Sequence, residues 1–323
     1  MTHALTLAPQ NTLSTAHPDI AGLVADWHAA LTLLVSANDL SATSKATYIN
    51  GMKRFTAWAA VANAAISDDT LREWKAALVA DGYKPGSINT WLAGVRAFFA
   101  WAVGARRLAY NPAQGVKGAK RKGTSSKHKR EALTDAEVLR VLASEDRHTT
   151  TGKRNTALIY LMAYTGARTV EIHRADLGDL KTDSGRLVLA VQGKGQTESD
   201  EVIVIAHPEA EAALYDWLAV RGDAPGPLFV GVGNRHHGRL SLRAIRGIVK
   251  DAYARAGVRG ANKTTHSLRH TAITNAIRHG APLQKAQAMA RHANVATTMI
   301  YFHETDRVEN PAEGFIQYTK DTK

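Results

Sequence analysis

The sequence predicts a mainly α protein built from an all-helical N-terminal domain and an α+β domain carrying a small antiparallel sheet. Three observations carry this. Apolar residues recur at helical spacing from Ile20 to Ala102, with no strand signal before residue 110. Two short apolar runs then flank a glycine-containing turn between residues 186 and 205. Helical patterns resume after them, and 323 residues suit two domains of ordinary size.

Residues 1–18 are polar and aperiodic, with Pro9 and Pro18, and read as a mobile tail. Over 19–114 four helices follow. Leu23, Trp27, Leu31 and Leu34 share the first helix face. Ser41 or Ser44 caps a second, with Tyr48, Met52, Phe55 and Ala59 on one side. Leu71, Trp74 and Leu78 mark a third. Ser87 is expected to cap a fourth, whose face is Ile88, Leu92, Val95, Phe99 and Ala102, and Asn111-Pro112 closes the domain.

Residues 115–131 read as an exposed basic linker, and 132–303 as the second domain. That domain opens at Thr134, a cap with Glu137 three positions on. A helix through Leu158, Leu161 and Met162 stops at Gly166. The strands Arg186–Val191 and Glu201–Ile205 surround Gln192-Gly-Lys-Gly195. Helices are expected over about 208–220, 241–256, 267–279 and 282–291, ahead of a C-terminal tail, 304–323.

The net charge is +12, and its placement is informative. Residues 1–116 hold 9 basic and 7 acidic side chains, and 131–323 hold 25 and 22. The stretch 117–130 holds Lys117, Lys120, Arg121, Lys122, Lys127, Lys129 and Arg130 without one acid. A solvated loop is the plain reading of a charge run. Between two nearly balanced domains it reads better as a strap for a polyanion's phosphates. The chain has no cysteine, which excludes a disulfide scaffold, a zinc ribbon and a thiol nucleophile. Neither a signal peptide nor an 18-residue apolar run is apparent, so a cytoplasmic protein with no membrane partner is the expectation.

Four separated pieces bear chemistry: Thr165-Gly-Ala-Arg168-Thr-Val-Glu171, Gly193-Lys194-Gly195, His266-Ser-Leu-Arg269-His270, and His292 with Tyr301 nine residues on. Each alone has a plain explanation, such as a helix stop, a solvent-exposed lysine or a half-buried tyrosine. In this order and at these spacings the set resembles the tyrosine recombinases, the family of phage integrases and Xer-type resolvases. The resemblance spans residues 133–303. It extends more weakly to 41–112, which looks like the family's DNA-gripping domain.

The resemblance implies a site-specific recombinase that cleaves and rejoins double-stranded DNA through a 3′-phosphotyrosyl intermediate, with no cofactor, metal or ATP. Tyr301 is the implied nucleophile and Lys194 the proton donor to the 5′ oxygen. Arg168 and Arg269 suit the non-bridging oxygens, because a guanidinium binds two oxygens at once and stays protonated. His266 and His292 add donors or shuttle a proton. Glu171 supports the first arginine or is a helix-surface charge. His270 and His303 are supporting candidates. A metal pair at His266 and His270 is disfavoured, since Arg269 lies between them and no Glu intervenes.

Arg291 stands where the family usually has glycine, either to contact DNA or to alter the fit of His292. The family also implies a homotetramer on two duplexes, with the C-terminal tail passed to a neighbour or packed locally. Two other functions compete: a DNA-binding regulator that has lost cleavage, and a type IB topoisomerase-like nicking and resealing enzyme.

Overall fold

Trp27, Phe55, Trp74, Trp91, Phe98 and Phe99, spaced along the first hundred positions, converge on one core. A computed structural model describes residues 20–120, 131–191, 201–233 and 238–305, and the chain divides into two compact units, 1–123 and 124–323. The first unit contains α1 (Ile20–Ser36), α2 (Ala42–Ala62), α3 (Asp68–Ala80) and α4 (Pro85–Gly104). Trp27 meets Phe98 edge-on at 5.4 Å and Phe55 meets Trp74 at 5.2 Å. Each such pair adds about 0.5–1.5 kcal/mol beyond the area it buries. The predicted faces of α3 and α4 are buried throughout, whereas Leu34 is 40 % exposed and drops out of the core.

Helices α2 and α4 cross where both lack a side chain. A Cβ on Gly51 would overlap the Trp91 carbonyl oxygen, and one on Gly94 the Tyr48 carbonyl oxygen. The two glycines bring the backbones close enough for Phe55 and Phe99 to interlock, at 6.2 Å.

Of the two candidate caps of α2, Ser41 serves, accepting the Ser44 N–H. Ser87 does not cap α4. Pro85 takes the first helical position, where its fixed φ and missing N–H cost nothing, so the helix starts earlier with Lys84 as its flanking residue.

Beyond α4 the Asn111 side chain accepts the Ala113 N–H at 2.9 Å, turning the chain back over the unit. Val116 is buried, and Asn89 on α4 exchanges two hydrogen bonds with Ala119. The start of the basic stretch is therefore tied down, with Lys117 and Lys120 exposed. Arg121, Lys122, Lys127, Lys129 and Arg130 lie outside the described residues.

The second unit begins with α5 (Asp135–Leu142), started by the expected Thr134–Glu137 capping box. Next, α6 (Thr150–Thr165) is buried nearly all round and ends at Gly166 in the left-handed conformation. It is followed by α7 (Thr169–Arg174), a 3-10 turn (Leu177–Asp179), β1 (Leu180–Asp183), β2 (Arg186–Val191) and β3 (Glu201–Ile205). The sheet is antiparallel in the order β1-β2-β3, with Val191 opposite Glu201. Strands β2 and β3 fall where expected, but β1 is an addition. Ser184 and Gly185, both at positive φ, form the two-residue turn that joins it to β2.

Helices α8 (Pro208–Arg221), α9 (Leu242–Arg255), α10 (Thr265–Arg278), α11 (Leu283–Ala290) and α12 (Val295–Thr305) complete the unit. Its core gathers α6, the inner sheet face (Leu189, Ile203, Ile205) and α8–α10. A smaller apolar cluster of Ile273, Ile277, Ala286, Ala290 and Tyr301 ties α10, α11 and α12 together. Among the described residues no helix is long and apolar enough to cross a membrane.

Candidate active site

Two helix ends supply the frame. At the first, α6 stops at Gly166, and Arg168 becomes the residue preceding α7. Glu171, one turn into α7, accepts the Arg168 backbone N–H on Oε2 at 2.6 Å and its Nη1 on Oε1 at 2.7 Å. A carboxylate in the first turn of a helix faces unpaired N–H groups, so this position suits it. At the second end, Arg291 closes α11 in the left-handed conformation, φ 50°. This turn aims consecutive carbonyls inward. Arg269 on α10 donates from Nη1 to the Gly166 oxygen at 2.7 Å and from Nη2 to the Ala290 oxygen. Arg168 donates from Nη2 to the Arg291 oxygen at 2.7 Å. Both arginines thus hang from neighbouring peptide groups of one turn.

Arg269 is 1 % exposed. Burial, then the charges of Arg168 and Arg291, push its pKa down to about 10, so it stays a cation at neutral pH. The Glu171 carboxyl is raised by burial and lowered further by the bonds and charge of Arg291 and the bonds of Arg168; it ends below the usual carboxylate range. Three guanidinium groups around one carboxylate leave a net positive site in a water-poor setting. Such a setting strengthens attraction for an oxyanion.

Arg291 itself points inward. Its side chain is 4 % exposed and reaches Glu171 through Nε (3.1 Å) and Nη2 (2.7 Å), while Nη1 donates to the Met289 oxygen. That corrects the expectation of a DNA contact from this side chain. The reading of Glu171 as a surface charge is corrected too, since it is 5 % exposed.

His266 lies half-buried on α10, one turn ahead of Arg269. The His292 Nδ1 is within 2.9 Å of Thr298 Oγ1, and its carbonyl accepts from Gln287. Burial, then the charges of Arg269, Arg168 and Arg291 and of His266, depress its pKa to about 4. Tyr301, 2 % exposed, lies parallel to the His292 ring at 6.0 Å and edge-on to His270 at 4.9 Å, and it interacts electrostatically with Arg269. Six of the predicted residues, Arg168, Glu171, His266, Arg269, His292 and Tyr301, are therefore brought together, with His270 behind the tyrosine. Lys194 lies outside the described residues, and His303 falls on α12 with its side chain outside them. Sequence reasoning missed Thr298, which is fully buried, and the part of Arg291 in the cluster. For Arg291 the available signal was a lone cation between Ala290 and His292.

Residues 131–307 match the model of the phage integrase family, and residues 31–106 that of the phage integrase N-terminal SAM-like domain. The chain is 31 % identical over 230 residues to tyrosine recombinase XerC of Actinobacillus pleuropneumoniae, covering 70 % of this chain and 72 % of that protein. It is 31 % identical over 241 residues to XerC of Corynebacterium glutamicum, 74 % of each. Its fold is similar to XerH site-specific recombinase bound to a palindromic difH substrate (TM-score 0.69, 18 % identity, 94 % of this chain and 91 % of that one). A lambda integrase dimer bound to a COC′ core site is also similar (TM-score 0.64, 15 % identity, 94 % and 80 %). With the family model spanning more than half its length and relatives of this identity over most of it, the chain belongs to the phage integrase family of tyrosine site-specific recombinases.

Proposed function

We propose that the chain recombines duplex DNA through Tyr301, with Arg168 and Arg269 holding the scissile phosphate. The observation that carries this reading is the pair of arginines hung from the consecutive carbonyls of Ala290 and Arg291, beside the tyrosine. Tyr301 gives up its hydroxyl proton to one of the two site histidines, His266 or His292, as its oxygen attacks phosphorus; a phosphotyrosyl bond forms to the 3′ strand end, and the bond to the 5′ oxygen breaks. That oxygen leaves with a proton, which we assign to Lys194. Because the phosphate ester is exchanged and not hydrolysed, a 5′ hydroxyl can reverse the step without ATP.

The arginines meet charge that grows on the non-bridging oxygens, which is where fixed donors accelerate most. His292, neutral at pH 7, has Nδ1 engaged by Thr298, so Nε2 is the nitrogen that serves the phosphate. His266 adds a second ring on the same side, His270 steadies Tyr301, and His303 is a supporting residue. The helical unit grips DNA, and the basic stretch from Lys117 to Arg130 supplies sequence-independent phosphate contacts whose strength falls steeply with salt. Four copies act on two duplexes. One solved relative of the same fold is a lambda integrase tetramer bound to a Holliday junction.

The test is a denaturing gel of the protein with labelled DNA from around its own gene, in EDTA, beside Tyr301→Phe. A slow covalent band present in the wild type and absent from the variant is expected. A band that survives the substitution overturns the assignment of Tyr301.

A further inference from the structure

Arg291 holds an uncomfortable backbone conformation and buries its charge, with 4 % of its side chain exposed, so that side chain must serve something inside. What it touches is Glu171, on both oxygens. Oε1 receives Arg168 Nη1 and Arg291 Nε, and Oε2 receives the Arg168 N–H and Arg291 Nη2. A carboxylate beside a single guanidinium tends to close on it as a two-bond fork. Here Arg291 occupies Glu171 from the other side, and Arg168 meets that carboxylate through one guanidinium nitrogen only. Its second terminal nitrogen turns to the Arg291 carbonyl. Of the five N–H donors of a guanidinium, these bonds use two, and the Arg168 side chain keeps 32 % exposure.

We infer that Arg291 is a positioning residue for cleavage: its fork on Glu171 keeps that carboxylate from closing on Arg168 and leaves Arg168 donors turned to the scissile phosphate. The second consequence is charge. Arg168 and Glu171 alone would cancel, whereas with Arg291 the trio keeps one positive charge beside Arg269. The inference rests on the proposed role of Arg168.

The experiment compares wild type, Arg291→Gly, Arg168→Ala and the double variant. Single-turnover formation of the Tyr301 covalent complex is measured alongside the Kd for the same DNA. Glycine suits the left-handed backbone, so the carbonyls of Ala290 and Arg291 are retained and only the side chain is lost. Cleavage per folded molecule by Arg291→Gly is expected to slow about ten-fold or more with Kd within about two-fold. The double variant, also counted per folded molecule because it leaves Glu171 without either guanidinium, is expected to be no slower than Arg168→Ala, as for residues acting through one another. Wild-type speed in Arg291→Gly overturns the inference, and so do losses that multiply in the double variant, since a purely structural defect would multiply. Should Arg291→Gly fail to fold, Arg291→Lys keeps the charge without the fork and is expected to fall between; a rate equal to wild type overturns the inference. A wild type that forms no Tyr301-dependent complex counts against the proposed function instead.

Discussion

The two units bury different chemistry. Among the described residues the first unit buries one polar side chain, Thr70, beneath a core of tryptophan, phenylalanine and aliphatic groups. The second buries Arg154, Asn155, Thr165, Glu171, Arg269, His270, Arg291 and several hydroxyls. An apolar core asks only for volume and shape. Buried cations need partners at fixed distances, and removing one partner leaves another uncompensated. The first unit is thus organised for stability around a helix crossing, and the second tolerates costly burial to fix cations around the proposed phosphate site.

If that contrast is right, truncations in the two units fail in different ways. The largest effect is expected from Arg168→Ala. Glu171 keeps Arg291 as a partner, so the fold survives, but the transition state loses a fixed cation. Single-turnover covalent-complex formation should drop about 10²–10³-fold or more, with DNA binding much less affected. Unimpaired cleavage would place the chemistry elsewhere.

Gly94→Ala should do the converse. Its methyl meets the Tyr48 carbonyl, a backbone atom that cannot step aside without parting α2 from α4. A loss of about 1–3 kcal/mol is expected for overpacking of this kind, read as a lower urea midpoint of the first unit. Cleavage per folded molecule should be unchanged. A stable Gly94→Ala would mean that the crossing is looser than described.

The same contrast explains what could be read from the sequence. In the first unit periodicity identified α3 and α4, because every apolar residue on their predicted faces had one core to enter. It failed where local chemistry outranked pattern, as at Pro85, which moved the start of α4 ahead of Ser87. In the second unit the capping box at Thr134, the stop at Gly166 and strands β2 and β3 were legible from residue type. Helix α7 was not, because six residues are too few to show a period. Strand β1 is four residues long with one inward face, and its cue was the Ser184-Gly185 turn. The site residues came from the resemblance of the four spaced pieces to the tyrosine recombinases, which names Arg168, Arg269 and Tyr301 without saying what holds them. Of the two readings of Arg291, the DNA contact failed because a cation is normally read as exposed, whereas its side chain is buried. Only the three-dimensional position of Glu171, 120 residues away along the chain, gives it a buried partner.

The gentlest probe is pH. In the folded protein the His292 pKa lies near 4, whereas an unfolded histidine titrates near 6.5. Between those values the unfolded chain binds the proton and the folded one does not, so stability rises with pH across the window. Stated in the other direction, His292 contributes fully above about pH 6.5, and its contribution is lost as pH falls towards 4. The Glu171 carboxyl, also held low, adds a loss of the same sign below the usual carboxylate range. The ring of His292 is partly exposed, so its share is modest. Five of the six tryptophans lie within the first unit, so fluorescence follows that unit while far-UV circular dichroism follows both. Its described buried side chains include no titratable group, so the fluorescence-detected urea midpoint should stay nearly level from pH 6.5 to 4.5. The later-reporting or earlier-reporting dichroism transition of the second unit should move to lower urea over the same range, and His292→Gln should flatten that drift. Parallel drift in both signals, unchanged by the substitution, would show that the pH response does not come from His292.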